Sequence, residues 1–237
     1  MPVIRLDDKR EIEQFLRHDT FLHIYSLGDL DDFFWPYTTF YGLEGSGSLE
    51  AVVLLYSSQG LSALLALSSN GDATAELLRS IDLELPSQFY AHLSPGLEHV
   101  LNNTHDLDPH GLHCKMALRD RVRLHDFVCS GVVSLGSAEL PEIQAFYQDS
   151  YPGNWFDPRM LETGLYFGVR ADGRLVSVGG IHVYSPQYRV AALGNIATHP
   201  AYRGRGYGKA VTARVCQSLS QTVDEIGLNV KAGNHPA

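Results

Sequence analysis

The chain has 237 residues, 44% of them hydrophobic and 19% charged, which allows one or two well-packed domains and excludes disorder. Charge is uneven within the net −9: residues 121–237 carry 11 Lys+Arg against 9 Asp+Glu (+2), and residues 1–120 carry 7 against 18 (−11). An acidic first half excludes broad nucleic-acid binding, which needs a basic stripe, and favours a cationic partner or amine substrate; no apolar run is long enough for a membrane span.

In chain order, Ile12, Phe15 and Leu16 predict an amphipathic helix, and residues 21–32 a second with Leu22, Tyr25 and Leu30 inward, stopped by Trp35-Pro36. Strands are predicted at 37–43, 49–56 and 61–67, punctuated by Gly45-Ser46-Gly47 and Ser58-Gln59-Gly60. Asn70-Gly71-Asp72 opens a helix through Ile81, with Ala73, Leu77 and Leu78 apolar. A strand at 88–93, a helix opened by Ser94-Pro95 and a strand at 111–118 complete the set.

The second half repeats the order. A helix at 141–151 and a short one at 158–162 precede strands at 165–169, 174–184 and 190–197, with an Asp172-Gly173 turn between the first two. A helix follows, and then a strand at 225–231. The expected fold is therefore α/β in two similar halves, 1–124 and 125–237, each a mostly antiparallel mixed sheet flanked by helices. The division is drawn where polar residues interrupt the apolar pattern across 120–130.

The 190–197 strand breaks at Pro200, crosses glycines at 204, 206 and 208, and continues as a helix with Val211, Val215 and Leu219 on one face. Strand, glycine loop and helix N-terminus form an anion site, because unpaired amides and the positive dipole end point outward there. Arg203, Arg205 and Lys209 add charge. A dinucleotide fingerprint fails because Lys209 replaces its third glycine, and a nucleotide P-loop fails because Ala210 follows Lys209. The pattern that fits is Arg-x-x-Gly-x-Gly (Arg203, Gly206, Gly208) after Thr198-His199-Pro200. It resembles the acetyl-CoA loop of the GNAT superfamily of N-acetyltransferases.

That resemblance implies a GNAT fold in which Arg203, Gly204, Arg205, Gly206, Tyr207, Gly208 and Lys209 surround the CoA pyrophosphate. Asn195, Ile196, Ala197 and Thr198 would run beside the pantetheine arm, with a backbone N–H of Ile196 or Ala197 as donor to the thioester carbonyl. Residues 227–237 resemble the family's fifth strand followed by Asn-x-x-Ala, which makes Asn234 a cofactor contact. The family continues with a tyrosine-bearing helix and a last strand, and neither has a counterpart after Ala237. The 225–231 strand is then expected to have a bare edge unless a partner chain or the first half fills the gap. The family's usual general acid also lacks a counterpart. In the first half, Ser68-Ser69-Asn70-Gly71-Asp72 stands where the glycine loop would be, so no CoA binding is expected there.

Amide formation from a thioester needs a neutral amine, a carbonyl-oxygen donor and a route for protons. The strand at 190–197 has no carboxylate, which leaves Glu162, His182 and Tyr184 as acid–base candidates. His182 and Tyr184 are expected to share a strand face, being two apart. Each is more readily an ordinary core or surface side chain, and His199 a turn filler. The aromatic loop 151–156 lies where the family builds its acceptor pocket. Cys114, Cys129 and Cys216 have no metal spacing, so no metal is expected and a reducing cytoplasm is. The expectation is acetyl transfer from acetyl-CoA to a small-molecule or peptide primary amine by direct attack. No nucleic acid or membrane partner is expected, and a homodimer is allowed. The alternative is a non-catalytic CoA-binding or regulatory module.

Overall fold

The computed structural model describes residues 2–58 and 61–234, and the chain divides after Leu112 into two compact units. The Gln59-Gly60 punctuation and the His235-Pro236-Ala237 end of the Asn-x-x-Ala pattern lie outside the described residues.

The first unit runs β1 (Val3–Leu6), α1 (Lys9–Leu16), α2 (Ile24–Gly28), β2 (Thr38–Glu44), β3 (Leu49–Ser58), β4 (Leu61–Ala66), α3 (Gly71–Ile81), β5 (Phe89–Leu93) and α4 (Glu98–Leu101). Its sheet has the order β1-β2-β3-β4-β5, antiparallel until the final β4–β5 pair, which is parallel. Alternate residues Tyr41, Leu43, Val53, Leu55 and Leu64 meet Leu77, Leu78 and Ile81 of α3 in one core. β1 was not anticipated: it is four residues with only Leu6 buried, too short to show a period. The expected 21–32 helix shrinks to α2, where Ile24 and Leu27 are buried while Leu22 and Tyr25 are only half-buried.

The second unit runs β6 (His113–Ala117), α5 (Val122–His125), β7 (Val132–Leu135), α6 (Leu140–Ser150), a 3-10 segment (Pro158–Thr163), β8 (Tyr166–Ala171), β9 (Arg174–Ser185), β10 (Val190–Thr198), α7 (Tyr207–Leu219) and β11 (Glu225–Lys231). Its sheet is ordered β6-β11-β10-β9-β8-β7, with only β10–β11 parallel. From β7 to β11 this repeats the first sheet. Asp172 (φ 51°) and Gly173 (φ 78°) form the two-residue turn that joins β8 to β9. Val211, Val215 and Leu219 are fully buried on the α7 face that packs against the sheet.

The expected 111–118 strand exists but belongs to the second sheet. β6 pairs antiparallel with β11 from Gly227↔Ala117 to Lys231↔His113, and the Leu118 N–H bonds the Ile226 carbonyl at 2.9 Å. The edge expected to be bare is therefore covered, and the compact division falls at 112/113 rather than at 124/125. An apolar pattern marks a strand but does not say which of two similar sheets takes it. The free backbone edge of β11 is what β6 satisfies.

Candidate active site

β10 and β11 pair in parallel from Val190↔Glu225 only as far as Leu193↔Leu228. Beyond that point β10 continues to Thr198 against β9, and β11 continues to Lys231 against β6, so the two strands part. The parting coincides with irregular register between Gly194 and Ala197 and with a left-handed backbone at Asn195 (φ 55°), a conformation asparagine tolerates better than most residues. On β10 the His199 N–H and the Ala197 carbonyl turn toward β9, bonding the Val176 carbonyl and Ser177 Oγ, while the Thr198 carbonyl turns away and accepts from Arg203 Nε. Strand alternation then places the amides of Ile196 and Thr198 on the open side.

The equivalent strands of the first unit do not part. β4 and β5 pair without interruption from Ser62↔Phe89 to Ala66↔Leu93, and the Ser94 N–H bonds Ala66 at 3.0 Å. The α3 N-terminus is also filled, because Asn70 Oδ1 accepts from the Ala73 amide and Asp72 lies in the first turn.

At the end of β10, Gly204 (φ 76°) and Gly206 (φ 82°) turn the chain into α7, with Gly206 as its left-handed N-cap. No side chain caps this helix and its first turn holds no acid, so the amides of Tyr207, Gly208 and Lys209 lack intrahelical partners. A Cβ at Gly204 or Gly206 would meet nothing within 4 Å, whereas one at Gly208 would meet Thr198 Oγ1 at 3.1 Å. Arg205 lies over the Tyr202 ring and Lys209 over the Phe127 ring, each 5.1 Å from the centroid. Among the described residues, neither of these cations nor Arg203 is paired with a carboxylate. Open amides, cations without carboxylate partners and room for a ligand fit a diphosphate.

The acid–base candidates are not brought together. β9 carries an extra residue between the pairs Ala192↔Val183 and Leu193↔Ile181, and this bulge breaks the alternation. His182 lies where a Gly194 Cβ would be, with its ring 5.8 Å from that of Trp155. Gly194 pairs with Gly180, whose absent Cβ makes room for the Tyr166 ring, while the neighbouring Gly179 faces Val211 of α7. His182 is thus on the Tyr166 side of the sheet. Tyr184 is on the α7 side, its hydroxyl bonded to Thr222 Oγ1 at 3.1 Å. The expectation that they share a face is corrected by the bulge. Glu162 is exposed on the 3-10 segment, and Asn234 is exposed with its amide bonded to the Lys231 carbonyl at 2.8 Å. His199 accepts from the Ala201 amide at Nδ1 and places Nε2 3.0 Å from Asp149.

Two residues escaped the sequence reading. The Tyr147 hydroxyl of α6 donates to the Asn195 carbonyl at 2.7 Å. The Tyr166 hydroxyl of β8 donates to the Ile181 carbonyl at 3.1 Å and accepts from Asn195 Nδ2 at 3.0 Å. Burial raises the pKa of both phenols. At 3.6 and 2.0 periodicity both positions read as ordinary core, so spacing held no signal of a polar role. Burial also lifts the Cys216 thiol to about 11, a protonated group ill-suited to nucleophilic attack. No group of metal-ligating side chains occurs among the described residues, and no helix among them is long and apolar enough to cross a membrane.

Residues 133–237 match the sequence profile of the acetyltransferase (GNAT) family. Among curated proteins none matches the chain. Of similar solved structures, a GNAT-family acetyltransferase from Novosphingobium aromaticivorans is 28% identical over 52% of this chain and 53% of its own, with a TM-score of 0.46. A Drosophila protein is 12% identical but aligns over 98% of this chain and 90% of its own, at a TM-score of 0.68. A tandem GNAT protein from the clavulanic acid biosynthesis pathway is 16% identical over 99% of this chain and 91% of its own, at 0.50. The two full-length likenesses are of fold, and they extend it to both units.

Proposed function

We propose, from the match of residues 133–237 to the GNAT acetyltransferase family profile, that this chain transfers an acyl group, in the simplest case acetyl, from acyl-CoA to a primary amine. The observation that carries the reading is the parting of β10 from β11 directly beside the open N-terminus of α7. Acetyl-CoA supplies an activated thioester and a thiolate leaving group. The amides of Tyr207, Gly208 and Lys209, with Arg203 and Arg205 around the glycine loop, hold the diphosphate. Each such amide contributes roughly 1.5–3 kcal/mol before association costs. Asn195, Ala197 and Thr198 line the start of the gap, and the Ile196 amide is the donor to the thioester carbonyl, the position where added charge must be stabilised. Asn234 remains an assigned contact to the cofactor arm.

The amine enters from the aromatic loop. His182 is the acid–base candidate on that side, since its ring is next to Trp155, while Glu162 and Tyr184 face elsewhere. Direct attack is favoured over a covalent enzyme intermediate because the Cys216 thiol is held protonated. The first unit, with β4 and β5 closed, serves a purpose other than CoA binding. The test is calorimetry with CoA followed by thiol release against a panel of amines. Absence of CoA binding overturns the reading. Binding without turnover on any amine leaves a CoA-binding module, which the absence of a carboxylate from β10 favours.

A further inference from the structure

Asn195 of β10 is held by side chains from two other elements. α6 supplies the Tyr147 hydroxyl to its carbonyl, and β8 supplies Tyr166 to its side-chain amide. The same Tyr166 hydroxyl bonds the Ile181 carbonyl of β9, and Asn154 Nδ2 lies 3.5 Å from Asn195 Oδ1. All three principal partners are buried, Tyr166 at 0%, Tyr147 at 3% and Asn195 at 6% exposure. Gly180 is part of the arrangement, because a Cβ there would stand 2.4 Å from the Tyr166 ring. Asparagine tolerates the left-handed region, but within a strand ladder the kink it makes is fixed in direction only by what surrounds it. Here the surroundings are two phenols, each of which spends its proton on a backbone carbonyl.

We propose that Tyr147 and Tyr166 are positioning residues that clamp the Asn195 kink and thereby set the direction of the Ile196 amide in the gap between β10 and β11. The proposal rests on the acyl-transfer reading for its catalytic consequence, but the clamp itself stands on the hydrogen bonds. Neither phenol touches the reacting atoms. Each acts through Asn195, and losing either leaves the kink under-determined while the glycine loop and α7 are unaltered. Diphosphate binding and carbonyl activation are then separable, since the first belongs to α7 and the second to β10.

The test compares Tyr147→Phe and Tyr166→Phe in the full chain, by steady-state kinetics with acetyl-CoA and by backbone amide NMR without ligand. In either variant kcat falls on the order of 10- to 100-fold, the scale of an ångström-level misplacement. The KM for acetyl-CoA changes by less than about threefold, since its phosphate contacts persist. The amide signals of Asn195, Ile196 and Ala197 move, and those of Tyr207, Gly208 and Lys209 do not. Asn195→Gly, which can still adopt the kink, retains more turnover than Asn195→Ala. Unmoved signals at 195–197 overturn the clamp. So does a loss of dispersion across the whole spectrum in both tyrosine variants, which makes them plain core residues. If the wild-type protein turns over no amine, the acyl-transfer reading fails, and the amide shifts still decide the clamp.

Discussion

Replacing Gly206 by Val isolates the anion site from the rest of the fold. Gly206 sits at φ 82°, a region that costs a side-chain-bearing residue roughly 1–2 kcal/mol. The new Cβ meets no protein atom within 4 Å, so there is no packing penalty to add. For a chain of this length that strain lowers the melting temperature by about 2–8 °C, and the protein remains folded. The ligand, by contrast, must approach the space the side chain now fills. Losing two amide–phosphate contacts at about 1.5–3 kcal/mol each weakens CoA binding by roughly 100-fold or more. Gly173→Val is the matched control: φ is 78°, its surroundings are equally empty, and it lies in the β8–β9 turn rather than at the N-cap of α7. Calorimetry with CoA on both variants decides the matter. Wild-type affinity in Gly206→Val, or equal losses in both, would remove the α7 N-terminus from the binding argument.

Three further outcomes are expected. Met116→Pro removes the N–H that alternation from Leu118 turns toward β11, leaving a carbonyl acceptor without its donor at about 1–3 kcal/mol; thermal melts should show a clear loss of stability, and an unchanged midpoint would mean that β6 is dispensable. Burial holds the Asp29 carboxyl well above its usual range. Its native pKa exceeds the unfolded one, so its penalty is absent in acid and grows as pH rises above the unfolded value. Asp29→Asn should therefore match wild type near pH 3 and be the more stable at pH 7, and equal melting at both pH values refutes this. The Cys216 thiol is raised to about 11 by burial, so its share of stability is intact below the unfolded value near 9 and is lost as pH climbs through 11. Cys216→Ala should flatten that alkaline decline, and the native protein should alkylate at exposed Cys114 well before Cys216.

Local chemistry in the chain was enough to specify the helix face of Val211, Val215 and Leu219, the Asp172-Gly173 turn, the Asn70 cap and the glycine turn into α7. Each depends on residues a few positions apart, where side-chain period, capping and positive φ act without outside help. The strand from His113 to Ala117 was equally visible as a strand, yet its sheet was not, because two similar sheets offer the same kind of backbone edge and only the folded chain selects between them. The opposite orientations of His182 and Tyr184 arise from one extra residue in β9 relative to β10, a mismatch that exists only once the strands are paired. The Tyr147–Asn195–Tyr166 clamp is likewise tertiary: its members are far apart in sequence and read singly as core, and their hydroxyls become meaningful only where a kinked strand presents buried groups that need partners.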